Sequence, residues 1–252
     1  MMKRTVSVIV FIAVLLLFSG VEATPLKQAE DYSGRLLIPY DSTDPAAGSF
    51  TFSWRYPCID ESEPDANIVN GFYLEQVDMD ETNMRFFADG YADTGIDVIK
   101  DVSYAVTCNN DFFFSVLIVQ DLAVGDRHRM IWSGNTFSRE NGEVGAAFDL
   151  PRLLGILEGA EQDDYMIDRQ AEKAADIVLE IIMDRIFENP DNIDYFDEIT
   201  FDYLKDSLSP QEDFFLDENG DPVFFVAPGT IADESLGYIV FPIPLEDIAD
   251  EL

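Results

Sequence analysis

Phe50, Phe52, Trp54 and Tyr56 alternate with Thr51, Ser53 and Arg55, and a period of two sends the aromatic rings to one face and the polar groups to the other. Such a strand is half-buried, so the chain must form a sheet with something packed against it. Val102, Tyr104 and Val106 repeat the alternation, and Asn109-Asn110-Asp111 supplies turn chemistry before the apolar run Phe112–Gln120, which predicts a hairpin. Arg127–Phe137 forms a further run. The turn Glu140-Asn141-Gly142-Glu143 then leads to Val144–Phe148. Arg35–Tyr40 predicts a first strand and Asp41–Gly48 a loop. Near the C-terminus, Glu212–Leu216 and Pro222–Val226 flank Asp217-Glu218-Asn219-Gly220 as a second hairpin, and Tyr238–Ile243 predicts a last strand.

Between these runs the period changes. Ile68, Phe72, Gln76 and Met79, with Val69, Tyr73 and Val77, predict a helix from about Ala66 to Met84. Asp149 before Pro151 is an N-cap arrangement for a short helix over Arg152–Leu157. Asp163–Phe187 is the longest helical pattern: Ile167, Ala171, Ala174, Val178, Ile181 and Arg185 share a stripe, which Ile177, Ile182 and Ile186 widen. Asn189-Pro190 ends it, and a shorter helix falls near Asp194–Ser207. The expected class is α+β, an antiparallel β-sheet with helices packed on one face.

Residues 1–23 read as a signal peptide. Lys3 and Arg4 precede the apolar run Val6–Phe18, and Ala23 offers a small residue for cleavage before Thr24. The run is shorter than the roughly 20 residues of a membrane span, so no stable span is expected after cleavage, and retention as an anchor is the alternative. The expected location is therefore extracytoplasmic. Residues 24–33 read as a flexible polar lead-in and 34–252 as a single α+β domain.

The chain carries 50 Asp+Glu against 15 Lys+Arg, a formal charge of −35. That field repels nucleic acid and anionic lipid and attracts polycations, divalent metal ions or a cationic protein; the alternative is that excess surface carboxylate keeps an exported domain soluble. Disorder is not implied, because a hydrophobic fraction of 47% with 13% aromatics is enough to form a sizeable core. The only cysteines, Cys58 and Cys108, lie at strand ends. In an oxidising compartment such a pair suggests a disulfide, closing a loop of about 50 residues at roughly 3–4 kcal/mol in the chain-entropy model. Two free thiols are the alternative.

A set of short segments, in order, carries a family resemblance: Ser53-Trp54-Arg55-Tyr56-Pro57, Ile68-Val69-Asn70, Val102-Ser103-Tyr104-Ala105-Val106, Phe113-Phe114-Ser115-Val116, Thr136-Phe137-Ser138, and Phe148-Asp149-Leu150. Phe214-Phe215-Leu216, Val223-Phe224-Phe225, Ala227-Pro228, Ile231-Ala232 and Phe241-Pro242-Ile243-Pro244-Leu245 continue it. Together they resemble the RsiV/PdaC-type extracytoplasmic domain of unknown function, shared by lysozyme-sensing anti-sigma factors and by the accessory region of peptidoglycan deacetylases. Val226-Ala227-Pro228-Gly229 departs from that family's pattern, which carries an aromatic pair here. The resemblance implies binding of lysozyme or of a wall component.

His128 is the only histidine, and no G-x-S-x-G elbow accompanies it, so it reads as structural or solvent-facing rather than as a triad base. One histidine cannot supply a zinc deacetylase centre. Asp217, Asn219 and Asp221 mimic the start of a calcium loop, but Pro222 and Pro228 occupy the positions where glycine and glutamate are needed, which favours a hairpin turn. Asp78, Asp80, Glu81, Asp163 and Asp164 read as solvated faces or helix-dipole partners. The aromatics Trp54, Tyr56, Phe112, Phe114 and Trp132 read as packing. No catalytic, cofactor or metal residues are assigned. The expectation is a non-enzymatic envelope domain that binds peptidoglycan or a cationic, lysozyme-like protein. A carboxylate-dependent glycan hydrolase and a purely structural envelope protein are the alternatives.

Overall fold

The computed structural model describes residues 25–252 except 40–47, 92, 141–142, 148 and 157–163. The expected signal peptide, the Asn141-Gly142 turn, Phe148 and Asp163 lie outside the described residues. Six strands form one sheet in chain order: β1 (Tyr32–Pro39), β2 (Ser49–Tyr56), β3 (Val98–Asn109), β4 (Phe113–Val124), β5 (Arg127–Glu140) and β6 (Glu143–Ala147). The class is α+β, with two corrections to the expected antiparallel sheet with helices on one face: helices lie on both sides of it, in two separate cores, and β2 and β3 run parallel, from Phe50↔Val98 to Trp54↔Val102. The cause is the connection between them. Helix α1 (Ala66–Tyr91) separates the two strands, and a crossover of that length returns the chain in the same direction, whereas a tight turn would reverse it.

α1 lies over one face of this sheet. Its buried residues Val69, Tyr73, Val77 and Met84 meet Phe50, Phe52, Val102, Phe114, Val116 and Phe137 in a first core, because the alternation in each strand sends these side chains to the same side. Tyr73 stacks on Tyr56 at 5.1 Å and meets Phe137 edge-on. Polar groups enter this face too: Lys100 donates from Nζ to Asp80 Oδ1 of α1 at 2.7 Å and sits over the Phe52 ring. Asp80, read from the sequence as solvated, therefore pins helix to sheet. The stretch read as a flexible lead-in is also held: Leu26 is buried, and its backbone N–H and carbonyl both bond to the Asn109 side chain.

The opposite face receives a second, antiparallel sheet of β7 (Phe214–Leu216), β8 (Pro222–Val226) and β9 (Ile239–Pro242). Around it pack α2 (Leu150–Leu153), α3 (Asp164–Glu188), α4 (Phe201–Ser207) and α5 (Leu245–Glu251). α3 buries Ile177, Val178, Leu179, Ile182, Met183 and Ile186, which join Phe214, Leu216, Phe224, Phe241 and Ile248 in a second core. Leu179 and Met183 were absent from the expected stripe, and Arg185 leaves it to donate to the Pro242 carbonyl. The expected helix near Asp194 begins only at Phe201, because the Thr200 hydroxyl caps it by accepting the Tyr203 N–H at 3.2 Å.

The two layers meet through backbone. The Leu216 N–H donates to the Ser115 hydroxyl, itself bonded to Thr136, and Gly134 lets the Phe214 carbonyl approach so closely that a Cβ there would lie 1.6 Å from the oxygen. β6 pairs with β5 only from Phe137 onward, so the earlier half of β5 is a sheet margin. The Tyr238 hydroxyl serves that margin: it accepts the Trp132 N–H at 3.0 Å and donates to the Met130 carbonyl at 3.2 Å, while its ring stacks on Trp132 at 4.3 Å.

Candidate functional site

A cleft of about 400 Å³ opens where β5 passes the end of β6, the start of α2 and the segment leading into β7. Asn135, Asp149, Arg152, Gln211, Glu212 and Asp213 supply its polar lining. Local sequence fixes the first wall. Asp149 has the extended backbone of an N-cap and accepts the Arg152 N–H at 3.2 Å, and Pro151 fits the first turn. The Arg152 guanidinium turns back to the Ala147 carbonyl at 3.3 Å, and the Leu150 N–H donates to Gln211 at 3.1 Å, tying α2 to the opposite wall.

Asp213 is the most perturbed acid of the cleft. Burial pushes its carboxyl above the usual range, the Ser209 N–H opposes that shift, and the charge of Glu212 adds to it. Asp213 Oδ2 accepts the Ser209 N–H at 2.8 Å, and its main-chain carbonyl accepts from Phe225. Two of the three carboxylates are thus already engaged with backbone donors. Arg152 and Asn135 are engaged as well, Asn135 through Nδ2 to the Gly134 carbonyl at 3.0 Å, while Gln211 and Glu212 bring further polar side chains to the lining, a set suited to hydrogen-bonding a polar molecule. Among the described residues, no group of three His, Cys, Asp or Glu side chains is arranged to hold a metal ion.

The residues singled out from sequence are dispersed. His128 is exposed on β5, outside the cleft, with Nδ1 3.7 Å from Asp121 Oδ1. Cys58 and Cys108 do not form the suggested bond; both are free thiols. The pairing of β2 with β3 ends at Trp54 and Val102, so both lie beyond it. Cys108 is buried in the second core, where burial pushes its thiol up to about 11 and Asn110 Nδ2 approaches the sulfur at 3.2 Å. Cys58 points its Sγ at the Ile59 carbonyl, 3.8 Å away. Asp217 Oδ1 accepts the N–H groups of Asn219 and Asp221, and Asp221 Oδ1 accepts from Leu245, which is hairpin-turn geometry. Trp54, Tyr56, Phe114 and Trp132 pack, whereas Phe112 is exposed at the β3–β4 bend.

Sequence reasoning missed the cleft because its walls come from segments that are distant in the chain. The one legible signal was the capped start of α2. No described helix is long and apolar enough to cross a membrane.

No protein-family model matches the chain, and no curated protein matches it. Among solved structures, it is similar to a DUF3298 family protein from Pseudomonas aeruginosa PAO1, with 15% identity, a TM-score of 0.44 and coverage of 89% of this chain and 93% of that one. It is likewise similar to a DUF3298 family member from Bacteroides fragilis, with 16% identity, a TM-score of 0.42 and the same coverage.

Proposed function

We propose that this protein is an exported, non-enzymatic cell-envelope domain that binds a wall component or a cationic protein of the lysozyme kind. The observation that carries the reading is the formal charge of −35 on a chain whose apolar residues form two cores. The acids are left largely outside, where they attract a cationic partner and accelerate its approach. The N-terminal leader pattern supports export, and the resemblance to the RsiV/PdaC-type domain supports an envelope ligand. In the cleft, the commitment of Asp149 and Asp213 to backbone donors supports binding over chemistry. Incubation of the mature protein with lysozyme and with purified peptidoglycan tests this. Retention on one of them is expected, and for lysozyme it weakens as salt is raised. Failure to be retained on either removes the proposal.

One observation favours a second reading, a carboxylate-dependent glycan hydrolase. Asp213 combines a raised carboxyl with a place in the cleft beside Glu212, as a general acid requires. Turnover of wall glycan that Asp213→Asn abolishes would establish it. An inactive wild-type protein would exclude it.

A further inference from the structure

α1 buries one face on the six-stranded sheet and leaves an unusual face outward. Met79 is 46% exposed and Phe86 77% exposed. Seven residues apart, they stand two turns from each other on the same side of the helix, opposite the buried Tyr73 and Val77. Leu74 and Phe87 add exposed apolar surface at the borders. Single exposed apolar residues are ordinary, but four on one helix are not. Glu75, Asp78 and Asp89 line one side of the Met79–Phe86 row and are exposed. A shallow surface depression of about 320 Å³ lies beside Met79, lined by Glu75, Asp78, Thr82 and Asn83. The cations of α1 and its underlying strand are engaged elsewhere: Arg85 bonds Glu81 at 2.5 Å, and Lys100 bonds Asp80 on the sheet side.

We infer that the outer face of α1 is a docking surface for a cationic amphipathic helix of another protein. This inference rests on the reading of a cationic partner and assigns it a place. An apolar row bordered on one side by acids complements a helix that presents leucine-like residues along one stripe and lysine or arginine on one side of it. The charge pattern argues against the other occupants. A second copy would set Glu75, Asp78 and Asp89 against their own counterparts, and an anionic lipid surface would be repelled by the same groups.

The test uses the mature protein with two probes, lysozyme and an amphipathic helical peptide of leucine and lysine, with binding followed by fluorescence anisotropy. Two variants remove the two components of the surface, Met79→Ser with Phe86→Ser and Glu75→Gln with Asp78→Asn and Asp89→Asn. All five positions are exposed, and an unchanged urea midpoint verifies folding. Phe187→Ser with Leu236→Ser, also exposed, is the control. Each α1 variant is expected to weaken peptide binding about 10-fold or more, the scale of losing interface anchors, with the control unchanged. If wild type binds lysozyme or the peptide and the α1 variants bind equally well, the surface is wrong while the cationic-partner reading stands. If wild type binds neither probe, that reading falls as well. Dimerisation or capture by anionic vesicles that Met79→Ser with Phe86→Ser abolishes would assign the face to a second copy or to lipid and overturn the inference.

Discussion

Two residues carry opposite predictions of the same kind. At Gly134 an added methyl would collide with the Phe214 carbonyl. Gly134→Ala is expected to destabilise the protein by about 3 kcal/mol or more, since neither backbone can give way without breaking the contact between the sheets. At Gly71, on the exposed side of α1, an added methyl meets nothing within 4 Å. Gly71→Ala is expected to stabilise by about 0.5–1 kcal/mol through helix propensity. Urea titrations of both variants check the pair. Asp213 makes a pH prediction. Its folded carboxyl titrates above the unfolded value of about 3.9, so the folded chain holds more protons from that pH upward through the folded value. Stability from this residue therefore falls as pH rises across that window. Asp213→Asn removes the titration, and its urea midpoint relative to wild type is expected to rise between pH 4 and pH 7; an equal offset at both would refute the assignment. None of these three roles was visible in the sequence. Gly134 interrupts no motif, and Asp213 is one acid among 50 Asp+Glu, so only the tertiary neighbours distinguish them.

Elements were far more legible than sites. β2, the β3–β4 hairpin, α3 and β8 fall where period and turn residues place them, because alternation and stripe are local consequences of burying one side. What local pattern could not report was direction and partnership: nothing in Phe50–Tyr56 says that β3 will lie parallel to it, and nothing in α1 identifies Asp80 as the ligand of Lys100. A signal for that pair does exist. Lys100 occupies an inward position between Val98 and Val102, and a lysine there needs an acid from the covering helix. Its side chain is 8% exposed and that of Asp80 19%. Lys100→Met alone is expected to cost about 3–5 kcal/mol by leaving the Asp80 charge without its cation, whereas Lys100→Met with Asp80→Leu recovers most of the loss. A double-mutant cycle on chemical unfolding measures both, and a cycle without coupling would mean that the pair does not join α1 to the sheet. The phenol of Tyr56, held far above its usual range first by burial and then by the charge of Asp80, belongs to the same buried junction.

For the molecule as a whole, the charge of −35 opposes compaction even as it favours cationic partners. Raising NaCl from 0.01 M to 1 M shortens the screening length from about 30 Å to about 3 Å. The midpoint of thermal unfolding is expected to rise by at least about 2–4 °C, the shift that 1 kcal/mol produces in a chain of this size. A midpoint that falls with salt would show that specific ion pairs outweigh the general repulsion. The two cores share the six-stranded sheet between them, so the layer carrying Tyr238 is also the one that finishes the layer beneath it. A chain emerging N-terminus first would have β1 to β6 in hand long before that phenol appears. Until it does, the Met130 and Trp132 backbone groups are an open invitation to a neighbouring chain, and newly made protein is most prone to aggregate in the interval before its last strand arrives.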